Sequence, residues 1–177
     1  MADLQRVWTT RRINIVGSLD DDKLLSLIDR LVTLESQDPE APIQLLLINA
    51  HNDIKFGHAC AVIDVMASIT PPVYTSALGY CESAAVLILA GGEPGHRVVH
   101  PSTLLFLDKA TLEDHEVTAG FESNCGEPLS DLLAKLTRQT KAKVHKDLMR
   151  DKYMSPAEAV DYGLADIVPA PKQTPTK

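Results

Sequence analysis

The sequence predicts an α/β domain built on a largely parallel sheet, and three observations carry that expectation. Apolar runs of strand length alternate with amphipathic segments of helix length. One run, Ile43-Gln44-Leu45-Leu46-Leu47-Ile48-Asn49, is nearly continuous in apolar residues, as parallel strands buried on both faces are. No linker or long-period repeat divides the 177 residues, a length that suits one domain with a self-sufficient core.

The elements follow in order. Between Arg11 and Gly17 the run Ile13-Asn14-Ile15-Val16 reads as a short strand. Ser18-Leu19-Asp20 then opens a helix through about Leu34, with Leu24, Leu25, Ile28, Leu31 and Val32 at helical spacing. Asp38-Pro39-Glu40-Ala41-Pro42 is a turn, and the Ile43 strand follows it. A helix from about Gly57 to Ile69 turns Ala59, Val62, Ile63, Met66 and Ile69 inward until Thr70-Pro71-Pro72 ends it. Val73 starts a buried strand, Gly79 marks a tight turn, and Ser83 opens an apolar helix.

His100-Pro101-Ser102-Thr103 leads into the strand Leu104-Leu105-Phe106-Leu107, and 109–128 is the least regular part. A long helix is expected from about Leu129 to Met149 on the stripe Leu132, Leu133, Leu136 and Leu148. Ser155-Pro156-Ala157-Glu158 is a strong helix start, with proline at the first helical position and an acid at the third. That helix stops at Gly163, and Leu164 to Val168 reads as a final strand. The chain thus divides into a short extension (1–10), one domain (11–168) and a proline-rich tail (169–177) expected to be disordered.

Composition narrows the function. Net charge is −7, so nucleic acid is not an expected partner. No apolar run approaches the roughly 20 residues of a membrane span. The first residues carry no apolar signal core, and Cys60, Cys81 and Cys125 have no metal-type spacing, so reduced thiols in the cytoplasm are expected.

Ser83 is the most suggestive residue. A serine at a strand-to-helix junction sits near free backbone N–H groups and the positive end of a helix dipole. Such a position suits a nucleophile beside an oxyanion hole, and it equally suits a plain helix cap. The nucleophile reading requires a base, an orienting acid and oxyanion donors.

Several segments in order resemble the proteolytic subunit of the Clp protease, ClpP. They are the strand ending Leu47-Ile48-Asn49, the run Gly79-Tyr80-Cys81-Glu82-Ser83-Ala84, the strand entry Pro101-Ser102-Thr103, and above all the block from Arg150 through Ser155-Pro156-Ala157-Glu158-Ala159 to Tyr162-Gly163-Leu164. The resemblance covers about residues 12 to 168. It implies a ClpP/crotonase fold, a spiral of strand-strand-helix units, and assembly of subunits into rings. It also implies that Ser83 occupies the nucleophile's position and Asp151 that of the acid orienting the catalytic histidine.

The histidine's own position is held by Asp108. The family's oxyanion glycines are replaced in Asn49-Ala50-His51-Asn52-Asp53, so Asp53 and Ala84 fall where the oxyanion N–H groups are expected. The small residue before the serine has become Glu82. A carboxylate with an ordinary pKa near 4 is a poor base for a serine hydroxyl. Beside Asp151 it makes a like-charge pair. Carboxylates at Glu82 and Asp53 oppose an oxyanion, and losing one oxyanion donor alone costs about 10²–10³ in rate. Lys109 to Glu116 also replaces the family's glycine-rich substrate strand.

The expected function is therefore a ClpP-like subunit without proteolysis, structural or regulatory, in a homo- or hetero-oligomer such as a heptameric ring with ClpP-like subunits. A Clp ATPase or adaptor is a further expected partner, and no cofactor or metal is expected. The alternative is an active ATP-dependent Clp-type serine peptidase or related hydrolase that uses Ser83 with a rearranged base such as His51. His58 also flanks the altered turn, whereas His100 lies about 26 Å from Asp108 along a straight strand. A metal site from Asp108, Asp151 and His51 lacks a spacing signature. A crotonase-like acyl-CoA enzyme would share the fold but not the specific Asp151-to-Leu164 block.

Overall fold

The computed structural model describes residues 10–50, 54–82, 84–107 and 129–170. Among them one six-stranded sheet runs in the order β1-β2-β3-β5-β6, with β4 also pairing β3. The strands are β1 (Arg12–Val16), β2 (Ile43–Ala50), β3 (Val73–Glu82), β4 (Val98–Val99), β5 (Leu104–Leu107) and β6 (Lys152–Met154). All pairings are parallel except β5 with β6. The mixed α/β architecture on a mostly parallel sheet is the one expected.

The helices are α1 (Asp21–Gln37), α2 (Phe56–Ser68), α3 (Ala84–Ala90), α4 (Leu129–Thr137), α5 (Lys141–Leu148) and α6 (Pro156–Tyr162). One face of the sheet, with Ile13, Ile15, Leu45, Leu47, Ala77, Cys81, Leu105 and Met154, is buried in the core. All seven residues of α3 are buried, and Thr75 on β3 donates its hydroxyl to Leu89 O at 2.8 Å, tying helix to strand.

Several elements match the sequence closely. Ser155 and Glu158 form a reciprocal capping box at α6, Pro156 begins it, and Gly163 ends it in the left-handed region at φ 91°. On α2 the buried residues are Ala59, Val62, Ile63 and Met66, with Ile69 partly buried at the cap.

Four expectations require correction. On α1 the buried stripe is Leu27, Leu31 and Leu34, while Leu25 and Val32 are 61% and 47% exposed. The helix has apolar residues on more than one face, and only one stripe can turn to the core. The run expected as one helix from Leu129 to Met149 is two helices, broken at Arg138, whose φ is 59°. Thr140 caps the second helix by accepting from Lys143 N.

Gly79 is not a turn, because β3 continues through it with a bulge. The expected final strand from Leu164 to Val168 reduces to a single bridge between Ile167 and Val98.

Two buried arginines join distant parts. Arg11 donates to Leu34 O and Asp38 O at 2.8 Å and to Ala41 O at 2.9 Å, so its charge meets the carbonyls at the C-terminus of α1. Arg97 forms a fork with Asp166, Nη2 to Oδ1 at 2.6 Å and Nε to Oδ2 at 2.8 Å. Its Nη1 also reaches Gly163 O at 2.9 Å and Ala90 O and Leu136 O at 3.3 Å.

Candidate active site

Register assembles the candidate site at one end of the sheet. β2 ends at Ala50, which pairs with Cys81; β3 ends at Glu82, which pairs with Phe106; β5 ends at Leu107, which pairs with Lys152. The next residues in the chain are 51–53, Ser83 and Asp108, and Asp151 immediately precedes Lys152. Every segment singled out in the sequence thus leaves or enters the sheet at the carboxyl ends of its parallel strands. Open parallel sheets bind ligands outside that end.

Ser83, Asp108, Asp53 and His51 lie outside the described residues. Of the named site residues the structure describes Ala84 and Asp151. Ala84 is buried at the first position of α3, immediately after the serine's position. Asp151 is exposed, between two residues that share one anchor. The carboxylate of buried Asp147 lies 3.3 Å from Arg150 Nη2 and 3.0 Å from Lys152 Nζ. Burial alone would raise the Asp147 carboxyl, but the Lys152 ammonium and the Arg150 guanidinium beside it hold it below its ordinary value.

The same anchor organises a ring contact. Lys143 Nζ sits 4.0 Å and Lys152 Nζ 4.7 Å from the centroid of the Tyr162 ring. Burial and the neighbouring Asp147 carboxylate push the Tyr162 phenol up, so it stays neutral. Sequence reasoning missed Asp147 and Tyr162, because their role depends on α5 and α6 meeting at β6.

A β-bulge lies just ahead of the site. Ile48 pairs with Leu78 and Ala50 with Cys81, so Asn49 alone opposes Gly79 and Tyr80. Asn49 has φ 47° and Gly79 has φ 77°, and Tyr80 N donates to Asn49 Oδ1 at 3.3 Å. Bulges commonly re-aim the strand beside a site. Any side chain on Gly79 would collide with the Asn49 amide. Gly79→Ala is expected to cost about 1–2 kcal/mol from backbone strain alone, read as a shift of the denaturant midpoint at unchanged slope. An unshifted midpoint would show that the bulge relaxes.

His58, His100 and Cys81 are each engaged or placed away from the role of base or nucleophile at this end of the sheet. Both ring nitrogens of His58 face oxygens, Nδ1 at 2.8 Å from Leu19 O and Nε2 at 2.9 Å from Asp21 Oδ1, so the ring ties α2 to the start of α1. His100 donates its backbone N–H to Ala77 O at 3.1 Å, at the opposite end of β5 from Leu107. Burial, with the adjacent Glu82 charge, pushes the Cys81 thiol up and keeps it protonated. Cys81 is buried and forms no disulfide among the described residues, and Cys125 lies outside them. Among the described residues no helix is long and apolar enough to cross a membrane.

A mostly parallel sheet with a strand-to-buried-helix junction at its carboxyl end, beside an acid entering an antiparallel edge strand, defines a mixed α/β domain. The sequence matches the family model for Clp protease over residues 1–172, and the chain belongs to that family.

Proposed function

We propose that this chain is a ClpP-like subunit that keeps the fold and association surfaces of its family but not proteolysis, and that it acts as a structural or regulatory member of an oligomeric ring. The observation that carries this reading is Asp108 in the position of the family's catalytic histidine. An aspartate with an ordinary pKa takes the serine proton poorly and cannot return one to an amine leaving group near neutrality. The His58 ring, engaged on both nitrogens, and the position of His100 at the far end of β5 support the reading, because neither is set to replace the missing base. The altered run 49–53 supports it too, since it lacks the glycines that would present an oxyanion N–H.

A fluorophosphonate probe at the purified chain is expected to leave Ser83 unlabelled, by intact mass, while peptide hydrolysis stays at background. Stoichiometric labelling at Ser83 would overturn the proposal. It would favour a peptidase or related hydrolase with a rearranged base, and in that case Ser83→Ala abolishes the activity and His51→Ala reduces it.

A further inference from the structure

We propose that the outer face of the sheet at β3, β5 and β6 is a docking site for an arginine side chain carried on an extended segment of a partner polypeptide. The proposal goes beyond the reading of the chain as an inactive subunit, and it does not involve the Ser83 hydroxyl.

The platform follows from strand alternation. Cys81, Leu105 and Met154 point into the core, so Tyr80, Glu82, Leu104, Phe106 and Tyr153 share the opposite face. Register sets them in two rows. Tyr80 pairs with Leu104 in one, and Phe106 lies between Glu82 and Tyr153 in the next. The Phe106 and Tyr153 rings stack with centroids 4.3 Å apart and planes 17° apart. Tyr153 is 62% and Tyr80 53% exposed, so both rings are open to a ligand.

The chemistry of the longer row selects arginine. A planar guanidinium stacks on an aromatic face and forks a carboxylate, whereas a lysine ammonium acts only as a point charge. The row offers both partners on adjacent strands, whose spacing is about 4.8 Å. Glu82 forms no ion pair among the described residues, and the two cations that flank Asp151, Arg150 and Lys152, are paired with Asp147 instead. The net charge of −7 also favours a basic partner. Glu82, one of the departures from the family resemblance, thereby becomes a recognition group.

At Phe106 recognition falls to side chains. β5 lies between β3 and β6, so no open strand edge is present there for a peptide to join. The two rows are two residues apart along β3 and β5, about 7 Å, which is also the rise between alternate residues of an extended peptide. An arginine on the Glu82–Phe106–Tyr153 row therefore brings an apolar residue two positions away onto Tyr80 and Leu104.

Fluorescence anisotropy of the full chain tests this with a short labelled peptide holding arginine and leucine two positions apart among glycines and serines. Saturable binding is expected. Glutamine in place of the peptide's arginine is expected to weaken it about tenfold, since stacking and ion pair are both lost. Glu82→Gln and Tyr153→Leu, each with wild-type circular dichroism, are each expected to weaken it about two- to fivefold. Asp29→Asn, an exposed acid on α1, is expected to change nothing.

Absence of binding would overturn the proposal, as would equal binding of the glutamine peptide, which marks a merely apolar contact. Equal losses in Asp29→Asn and Glu82→Gln would overturn it too, by showing unspecific attraction to an acidic chain. If Tyr153→Leu changes the sedimented mass while no peptide binds, the face is covered by a second copy and the proposal falls. None of these results bears on fluorophosphonate labelling at Ser83, so the proposed loss of proteolysis stands or falls separately.

Discussion

Replacing Arg97 by alanine is expected to cost about 3–5 kcal/mol of folding stability, the range for removing one partner of a buried ion pair. The size follows from what the guanidinium holds. Asp166 Oδ2 accepts from Gly95 N at 2.8 Å, Arg97 N at 3.0 Å and Arg97 Nε at 2.8 Å, and without the side chain the carboxylate keeps only backbone donors. The carbonyls of Ala90, Leu136 and Gly163, at the ends of α3, α4 and α6, lose their common donor together. Arg97→Lys keeps the charge but not the fork, so it is expected to recover less than half of the loss.

The pH dependence has a definite sign. Burial would raise Asp166, but the hydrogen bonds and charge of Arg97 outweigh it and hold the carboxyl below its ordinary value. A carboxyl depressed in the folded state contributes stability above its unfolded pKa, and that contribution is lost as pH falls through the folded one. Wild-type stability is therefore expected to drop below about pH 4, and Arg97→Ala is expected to show a smaller drop there. Denaturant titrations at pH 7 and pH 3 check both statements, and equal acid losses in the two proteins would refute the pairing's role.

Local chemistry made part of this fold legible. Ser155-Pro156-Ala157-Glu158 states a helix start within four residues, and the capping box is found there. The inward face of α2 is legible because its apolar residues fall on a single stripe. What was not legible depends on partners far along the chain. Nothing near Arg11 announces Leu34, Asp38 and Ala41 as its acceptors. Which stripe of α1 is buried is settled by packing and not by its own spacing. Gly79 reads as a turn until Asn49 is set opposite it.

The candidate site divides in the same way. Its segments converge on one end of the sheet because strand order and register place them there. The proposed loss of the base rests on sequence alone, where the family resemblance sets Asp108 in the histidine's position. The support of Asp151 through Asp147 and Lys152 emerges only from packing.

Gly163→Ala is expected to be comparably damaging, at roughly 2–5 kcal/mol, for two separable reasons. At φ 91° a non-glycine residue is strained, and a Cβ there would run into the backbone carbonyl of Thr137. That carbonyl belongs to the break between α4 and α5, where Arg138 is left-handed and Gln139 Nε2 donates to Tyr162 O at 2.9 Å. The close approach explains why the expected long helix is interrupted, because the end of α6 passes against the interruption. Gly163→Asn separates the causes, since asparagine tolerates the left-handed region yet carries a Cβ. If the carbonyl contact dominates, Asn and Ala are equally destabilising by chemical denaturation; if strain dominates, Asn recovers most of the loss. The first outcome is expected, because backbone packed at the α4–α5 break yields less readily than a dihedral angle. Moving that break would also shift α5, and with it Asp147 and the entry of Asp151 into β6.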